Sequence, residues 1–210
     1  VAISLGYGSF TPVMPSQFTV GSLSPLEVCA DRVRDLMVGM GFQEIMSNIL
    51  SSRADLVDRM RLTGSEWDRL VEVDNVMVQT YASLRHGLLP SLLRVEESSS
   101  RAFYPHRIFE VGEAGLPDPG ADLGSRTVTM LAGLVAHAKA NFSEIHSCLD
   151  LLMFYLGYAY TLTPSSHPSF LGGRVGRIEV DGTPLGYIGE VHPEVLEQWQ
   201  GLMPCAAFEL

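Results

Sequence analysis

The clearest helical pattern in the chain covers residues 24–40. Its apolar positions recur every three or four residues, which is the spacing of one face of an α-helix. Ser24, Pro25 and Glu27 supply an N-cap, a first-turn proline and a capping-box carboxylate, so we expect the helix to begin there. Gly41 is typical of a helix end. The face expected to seat the helix on its own domain consists of Leu26, Ala30, Val33, Met37 and Met40.

Further helices are predicted in four other places. Asn141 and Glu144 repeat the cap-and-box spacing ahead of a second amphipathic segment. Shorter helices are predicted at residues 56–62, 88–93 and 193–199.

Strand patterns lie between these helices. Alternating or continuous apolar runs predict strands, and a Gly- and Pro-rich loop is predicted at 115–124. The dipeptide Asp181-Gly182 between two such runs is a strong signal for a β-hairpin. The predicted strands cover residues 42–49, 70–76, 106–111, 127–135, 178–180, 185–188 and 206–210.

This order of elements favours an α+β fold with a mainly antiparallel sheet flanked by helices, because strands are joined by hairpins as well as by helices. Residues 1–22 are rich in Gly and Pro and have no period, so we interpret them as a leading segment or linker from an upstream domain. Residues 23–210 are interpreted as one domain, part of a longer chain.

The predicted helix at 24–40 has more apolar surface than one face requires. The surplus predicts a subunit interface, because a wider apolar surface needs a second partner. The alternative is that the leading segment, through Phe10 and Phe18, covers it. The interface residues predicted on this basis are Val28, Cys29, Leu36 and Val38.

Composition narrows the possible functions. The net charge is −10, from 24 acidic and 14 basic residues, so we expect weak or absent nucleic-acid binding by this chain alone. Its three cysteines are far apart and form no CxxC pair, which predicts small buried side chains and no metal site. No apolar run reaches the length of a membrane span, and the first residues lack a secretory pattern, so a cytoplasmic location is expected.

Candidate catalytic residues are few. The six histidines form no HExxH pattern and no pair at metal-ligand spacing. His167, Ser169 and Arg174 lie close in sequence and contain the residue types of a nucleophile, a base and an anion clamp, but no carboxylate completes a triad. We therefore predict that His167 and Arg174 tether a loop to the sheet, and that Glu110 and Glu190 have hydrogen-bonding structural roles.

Eight short segments in this order resemble the β subunit of phenylalanyl-tRNA synthetase of the archaeal and eukaryotic type. They are GYG at 6–8, GFQEI at 41–45, LRHGLLPSLL at 84–93, IFEVG at 108–112, NFSEI at 141–145, HPSF at 167–170, GGR at 172–174 and GYIGEVHPEVL at 186–196. The resemblance covers nearly the whole chain.

The resemblance implies a fold like the catalytic domain of class II synthetases, in a holoenzyme that joins phenylalanine to its tRNA with ATP and magnesium. It also implies a partner α subunit that contains the active site, so no cofactor is expected in this chain. A working class II domain needs an arginine on a strand to bind the ATP α-phosphate, yet Glu110 stands roughly there. Arg107 is an odd number of residues away and would point to the other face of the sheet.

The leading hypothesis is therefore a non-catalytic assembly module with no catalytic or metal-binding residues of its own. The alternative is a free-standing class II ligase-like paralogue that activates an amino acid or related acid with ATP. A binding site for another small ligand in the vacated cleft also remains open.

Overall fold

The computed structural model describes residues 2–17, 19–74, 81–99, 101–201 and 203–210. Its helices are α1 (Ala2–Leu5), α2 (Pro25–Gly39), α3 (Leu89–Ser98), α4 (Phe142–Leu156) and α5 (Pro193–Gln198), with single turns at Tyr7–Ser9, Ala54–Asp58 and Glu66–Asp68. Its strands are β1 (Gln43–Glu44), β2 (Leu50–Ser51), β3 (Val71–Glu72), β4 (Ser83–Leu84), β5 (His106–Pro117), β6 (Ser125–Ala136), β7 (Thr161–Pro164), β8 (Phe170–Val180), β9 (Thr183–Val191) and β10 (Cys205–Glu209).

The main sheet has seven strands in the order β1-β5-β6-β10-β9-β8-β7. β1 pairs with β5 in parallel, and the other five pairs are antiparallel. A small second sheet has the order β2-β4-β3. The predicted α+β architecture with a mainly antiparallel sheet is confirmed.

The capping residues in the sequence correctly predicted where α2 and α4 begin. The Ser24 hydroxyl accepts a hydrogen bond from the Glu27 amide at 3.2 Å, and the Asn141 side chain accepts one from the Glu144 amide at 3.1 Å. Each cap satisfies an amide that has no partner inside its helix. Gly41, just beyond α2, has a φ of 83°, the left-handed conformation that a helix-ending glycine adopts readily.

The hairpin at Asp181 and Gly182 is also confirmed. These residues join β8 to β9 and have φ values of 50° and 76°. A two-residue turn needs such positive φ values to match the right-handed twist of the strands that it connects. Both strands are longer than the sequence pattern indicates.

The core has two layers, one on each face of the main sheet. Because side chains alternate along a strand, Ile108 packs on one face with α3 and Trp199, while its neighbour Phe109 packs on the other face with α2 and α4. The helix faces that complete these layers include Leu92 of α3 and Leu149 of α4, both fully buried.

Several predicted elements differ from the structure. The predicted strand at 42–49 contains only β1, and the predicted helix at 56–62 is a turn at Ala54–Asp58. The predicted loop at 115–124 is confirmed at 118–124 but begins too early, since β5 continues to Pro117 and β6 begins at Ser125. β5 extends because β6 pairs with it along its whole length, to Pro117 opposite Ser125. Gly115 also donates its amide to the Arg85 carbonyl at 2.8 Å.

Two further differences concern strand coverage and the leading segment. Of the predicted strand at 70–76, the structure contains β3, and residues 75–76 lie outside the described residues. β7 was not predicted. The described residues of the leading segment, 2–17 and 19–22, include α1 and the turn at Tyr7–Ser9.

Candidate functional site

A buried ion pair joins β4 to β5. Arg85 Nη1 lies 2.8 Å from Glu110 Oε1, and the two side chains are 3% and 2% exposed. Ser47 donates its hydroxyl to Glu110 Oε2 at 2.6 Å and its amide to Oε1 at 3.2 Å. Both oxygens of the carboxylate are therefore engaged within the protein.

The guanidinium of Arg85 is likewise hydrogen-bonded to other groups of the protein. It donates to the Glu113 carbonyl at 2.8 Å and to the Ser47 hydroxyl at 2.6 Å. A side chain on Gly112 could not be accommodated, because its Cβ would lie 2.5 Å from Arg85 Nη2. The sequence analysis missed Arg85 as the partner of Glu110, although both residues lie in segments that resemble the synthetase family.

Arg107 lies on the other face of the sheet, as predicted. Its Nη2 donates to Glu144 Oε1 of α4 at 2.7 Å. It therefore cannot replace an arginine at the position of Glu110.

Arg174 and Glu190 lie together at the start of α4. Arg174 Nη1 is 2.6 Å from Glu190 Oε2, and Glu190 Oε1 accepts the amide of Phe142 at 3.0 Å. A carboxylate at this end of a helix satisfies a free amide and interacts favourably with the helix dipole. Their structural role stays a prediction, which this geometry supports.

His167 lies elsewhere, so the four predicted residues do not form one cluster. Its ring centroid is 4.5 Å from that of Trp67, 4.9 Å from that of Tyr187 and 5.2 Å from that of Phe170. The Ser169 hydroxyl donates to the buried Met60 carbonyl at 2.6 Å, so it is not positioned as a nucleophile beside His167.

The aromatic group around His167 forms one wall of a cavity of about 430 Å³. The opposite side comes from the outer ends of β5 and β6, including Leu116 and Met130. Gly87 and Glu209 contribute to the lining between them. The cavity lies on the same face of the sheet as α3.

Both histidines of the cavity are neutral near pH 7. Burial lowers the pKa of His86 to about 4. Burial, together with the charge of His86, lowers the pKa of His167 to about 4. The buried Nδ1 of His86 has no hydrogen-bond partner within the described part of the chain. His167 Nδ1 accepts the Ser169 amide at 3.2 Å, which leaves the proton on Nε2.

Two acidic residues line the cavity, the exposed Glu66 and the half-buried Glu209. Glu209 is anchored at α3. Its Oε1 accepts the amides of Leu88 and Leu89 at the N-terminus of α3, the second at 2.9 Å. Burial raises the pKa of this carboxyl, against the opposing effects of the two amides and of the Arg85 charge. Sequence reasoning missed Glu209, His86, Trp67 and Tyr187 as a group, because they come from four separate segments.

The outer side of α2 carries both apolar and charged side chains, since Glu27, Asp31, Arg32 and Asp35 are exposed there. Val28, Val38 and Cys29 are exposed, the first two at 54% and 56%, whereas Leu36 is half-buried against the core layer of α2 and α4. The prediction that Leu26 seats the helix is wrong, since it is 56% exposed. The prediction that all three cysteines are buried is wrong for Cys29.

This apolar surface continues onto α4. Arg32 of α2 donates to the Tyr155 carbonyl of α4. Phe154, Tyr155 and Tyr158 are 75%, 52% and 55% exposed. Phe10, which was considered as a cover for α2, is itself 50% exposed, and Phe18 lies outside the described residues.

Other kinds of site find no support in the described ranges. No three His, Cys, Asp or Glu side chains there are grouped as metal ligands. No helix among the described residues has the length and hydropathy required to cross a membrane.

Comparison with known proteins agrees with the resemblance in the sequence. The protein-family model described as the phenylalanyl tRNA synthetase beta chain CLM domain matches residues 11–210. The phenylalanine–tRNA ligase beta subunit of Borrelia recurrentis (strain A1) is 39% identical over 210 residues, which are 100% of this chain and 37% of that protein. The subunit of the same name from the archaeon Thermococcus kodakarensis is 38% identical over 222 residues, 100% of this chain and 39% of that protein. The chain thus spans well under half the length of these relatives.

Proposed function

This chain belongs to the family of the phenylalanyl tRNA synthetase beta chain CLM domain, and from that premise we propose that it is a non-catalytic, synthetase-like module. It supports assembly with a catalytic α subunit that attaches phenylalanine to its tRNA in the cytoplasm. ATP and magnesium act in that subunit, and this chain contributes little or nothing to tRNA affinity.

The pairing of Arg85 with Glu110 is the observation that carries this proposal. A synthetase active site uses a free arginine to bind the ATP α-phosphate, because a bidentate guanidinium stabilises the charge that develops there. Glu110 would repel that phosphate. Arg85 faces Glu110, and its guanidinium is already bonded to Glu110, Ser47 and the Glu113 carbonyl.

The fold is consistent with a class II synthetase-like module. An antiparallel sheet with α2 and α4 on one face and α3 on the other is the architecture that the resemblance implies. Among the described residues, Arg85 alone lies within ion-pair distance of Glu110.

The α2–α4 surface supports the assembly role. We define this surface as Val28, Val38, Phe154, Tyr155 and Tyr158. Large exposed apolar side chains on two neighbouring helices, and at Tyr158 just after the second of them, are typical of a protein–protein interface. We assign this surface to the contact with the α subunit.

A pyrophosphate exchange assay tests whether the chain is catalytically inactive. The purified chain is incubated with ATP, magnesium and each amino acid, and the complete synthetase serves as the positive control. We expect exchange with phenylalanine by the complete enzyme alone. Exchange above background by the chain itself, with phenylalanine or another amino acid, would instead support a free-standing ligase-like paralogue.

A further inference from the structure

The cavity beside His167 has the properties of a small-molecule site. Its volume of about 430 Å³ is within the range of roughly 300–1,000 Å³ that ligand pockets occupy. Its walls are mainly apolar, and a few polar groups converge on it. Such a combination is the usual composition of a binding site.

The aromatic wall favours a flat ligand. The Trp67 and Tyr187 rings meet edge to face with centroids 5.9 Å apart, and His167 lies against both. Aromatic groups in contact with such a wall gain from stacked or edge-to-face geometry beyond the area that they bury.

Glu209 favours a positively charged or hydrogen-donating group. Its Oε1 accepts two amides, whereas no described residue forms a hydrogen bond with Oε2. Gly87 packs closely against the carboxylate, since a Cβ there would lie 2.8 Å from Oε2 and 2.9 Å from Oε1. Glu209 itself lines the cavity. No lysine or arginine lies within ion-pair distance of Glu209 in the described ranges, and a buried carboxylate is stabilised by an added cation.

The remaining polar groups do not favour an anion. His86 and His167 are neutral near pH 7, and the buried His86 Nδ1 lacks a partner within the described residues. The two arginines of the lining, Arg69 and Arg126, are exposed, and Arg126 faces Asp118 at 3.8 Å. A phosphate or carboxylate placed beside Glu209 would meet a like charge, since no lysine or arginine of the described residues forms an ion pair with that carboxylate.

We propose that this cavity binds a small aromatic amine. Its ring lies against Trp67, His167 and Tyr187, and its ammonium group donates to Glu209 Oε2. The inference is independent of whether the module is catalytically silent.

Three indoles that differ only in their side chain test the choice of ligand. Tryptamine, indole and indole-3-acetate are titrated by calorimetry into the intact protein that contains this chain, in complex with its partner subunit. Saturating phenylalanine and ATP are present, so that an amino-acid site on the partner is already filled. We expect tryptamine to bind at least tenfold more tightly than indole-3-acetate, with indole between them.

Variants locate the binding to this cavity. Glu209→Gln keeps an acceptor for the two α3 amides but removes the charge, so tryptamine should bind about tenfold more weakly while indole is unaffected. Trp67→Leu should weaken all three ligands severalfold. Glu113→Gln is the matched control, because Glu113 is an exposed carboxylate of β5 outside the cavity, and it should leave the three affinities unchanged.

Three results would overturn the proposal. One is the absence of tryptamine binding at millimolar concentration. Another is equal binding of the three indoles, which would exclude recognition by Glu209. The third is unchanged tryptamine affinity in both Glu209→Gln and Trp67→Leu, with both variants still folded, which would place the binding elsewhere.

Discussion

Arg85 and Glu110 form an ion pair that is almost completely removed from solvent, with 2.8 Å between Nη1 and Oε1. The carboxylate thus has its countercharge on a neighbouring strand and not on a bound ligand. Two charges buried together cost desolvation energy, and their hydrogen bonds to Ser47 and to the Glu113 carbonyl offset it. The pair holds β4 against β5.

Removing one member of this pair should destabilise the fold strongly. We expect Arg85→Met to lower the free energy of unfolding by about 3–5 kcal/mol, because Glu110 is then left as an uncompensated buried charge. Urea unfolding followed by circular dichroism measures the change.

A double variant and a surface control sharpen that measurement. Arg85→Met with Glu110→Leu should lose less than the sum of the two single variants, because neither charge is buried alone. Arg126→Met removes an exposed arginine and should change the free energy of unfolding by less than about 0.5 kcal/mol. A loss of under 1 kcal/mol in Arg85→Met would contradict a tightly coupled pair.

Arg174 and Glu190 should contribute unequally to stability. Arg174→Ala removes a partly exposed ion pair and should cost about 0.5 kcal/mol. Glu190→Ala also removes the acceptor for the Phe142 amide and should cost about 1–2 kcal/mol. Thermal unfolding compares the two, with wild type as reference. If Arg174→Ala unfolds like wild type but the reassembled synthetase loses activity, the residue has a functional role instead.

The α2–α4 surface should be required for assembly but not for folding. We expect Val28→Asp and Val38→Asp to keep the circular dichroism spectrum of the wild-type chain, since both side chains are more than half exposed. Both should abolish co-purification with the α subunit, because a buried unpaired carboxylate destabilises an interface.

Leu123→Asp is the matched control for this surface. Leu123 is 91% exposed in the turn after β5, away from α2, so its variant should co-purify normally. Retained co-purification of Val28→Asp and Val38→Asp would assign the α subunit contact to another face. Leu36 is unsuitable for the test, because it packs against the core of its own domain.

Acid should destabilise the cavity through its two histidines. Both pKa values are about 4 in the folded protein, compared with about 6.5 for an unperturbed histidine. Between these two pKa values the unfolded state therefore binds more protons than the folded state. The contribution of the two histidines to the free energy of unfolding is fully present above about pH 6.5 and decreases as the pH falls toward about 4. The expected loss is on the order of 3 kcal/mol for each histidine.

The slope of stability against pH identifies the groups responsible. His86→Gln and His167→Gln should each flatten the decrease between about pH 6.5 and 4, whatever their stability at neutral pH. His146→Gln, on α4 and outside the cavity, should leave the slope as in wild type. Equal slopes in all variants would show that other groups dominate the acid transition.

Helix ends and the hairpin could be predicted from sequence because they depend on neighbouring residues. Ser24 needs only the Glu27 amide, Asn141 needs only the Glu144 amide, and the turn at Asp181 and Gly182 needs only its own backbone conformation. The alternation along β5 likewise predicted that Arg107 and Glu110 face opposite sides of the sheet.

Short strands and the exposure of Leu26 could not be predicted in this way. A strand needs a partner, so the apolar run after α2 forms only the two residues of β1 beside β5. Leu26 shares the periodicity of the buried stripe but lies in the first turn of α2, where no neighbouring element covers it.

By itself the sequence determined the helix caps, the hairpin, the α+β class and a resemblance to one family, because each depends on local spacing or on residue identity. Only the tertiary structure decided that Arg85 neutralises Glu110, and that Trp67, His167, Tyr187 and Glu209 surround one cavity. Those groups lie on different strands and loops. Their distances depend on sheet order and packing, which no local pattern encodes.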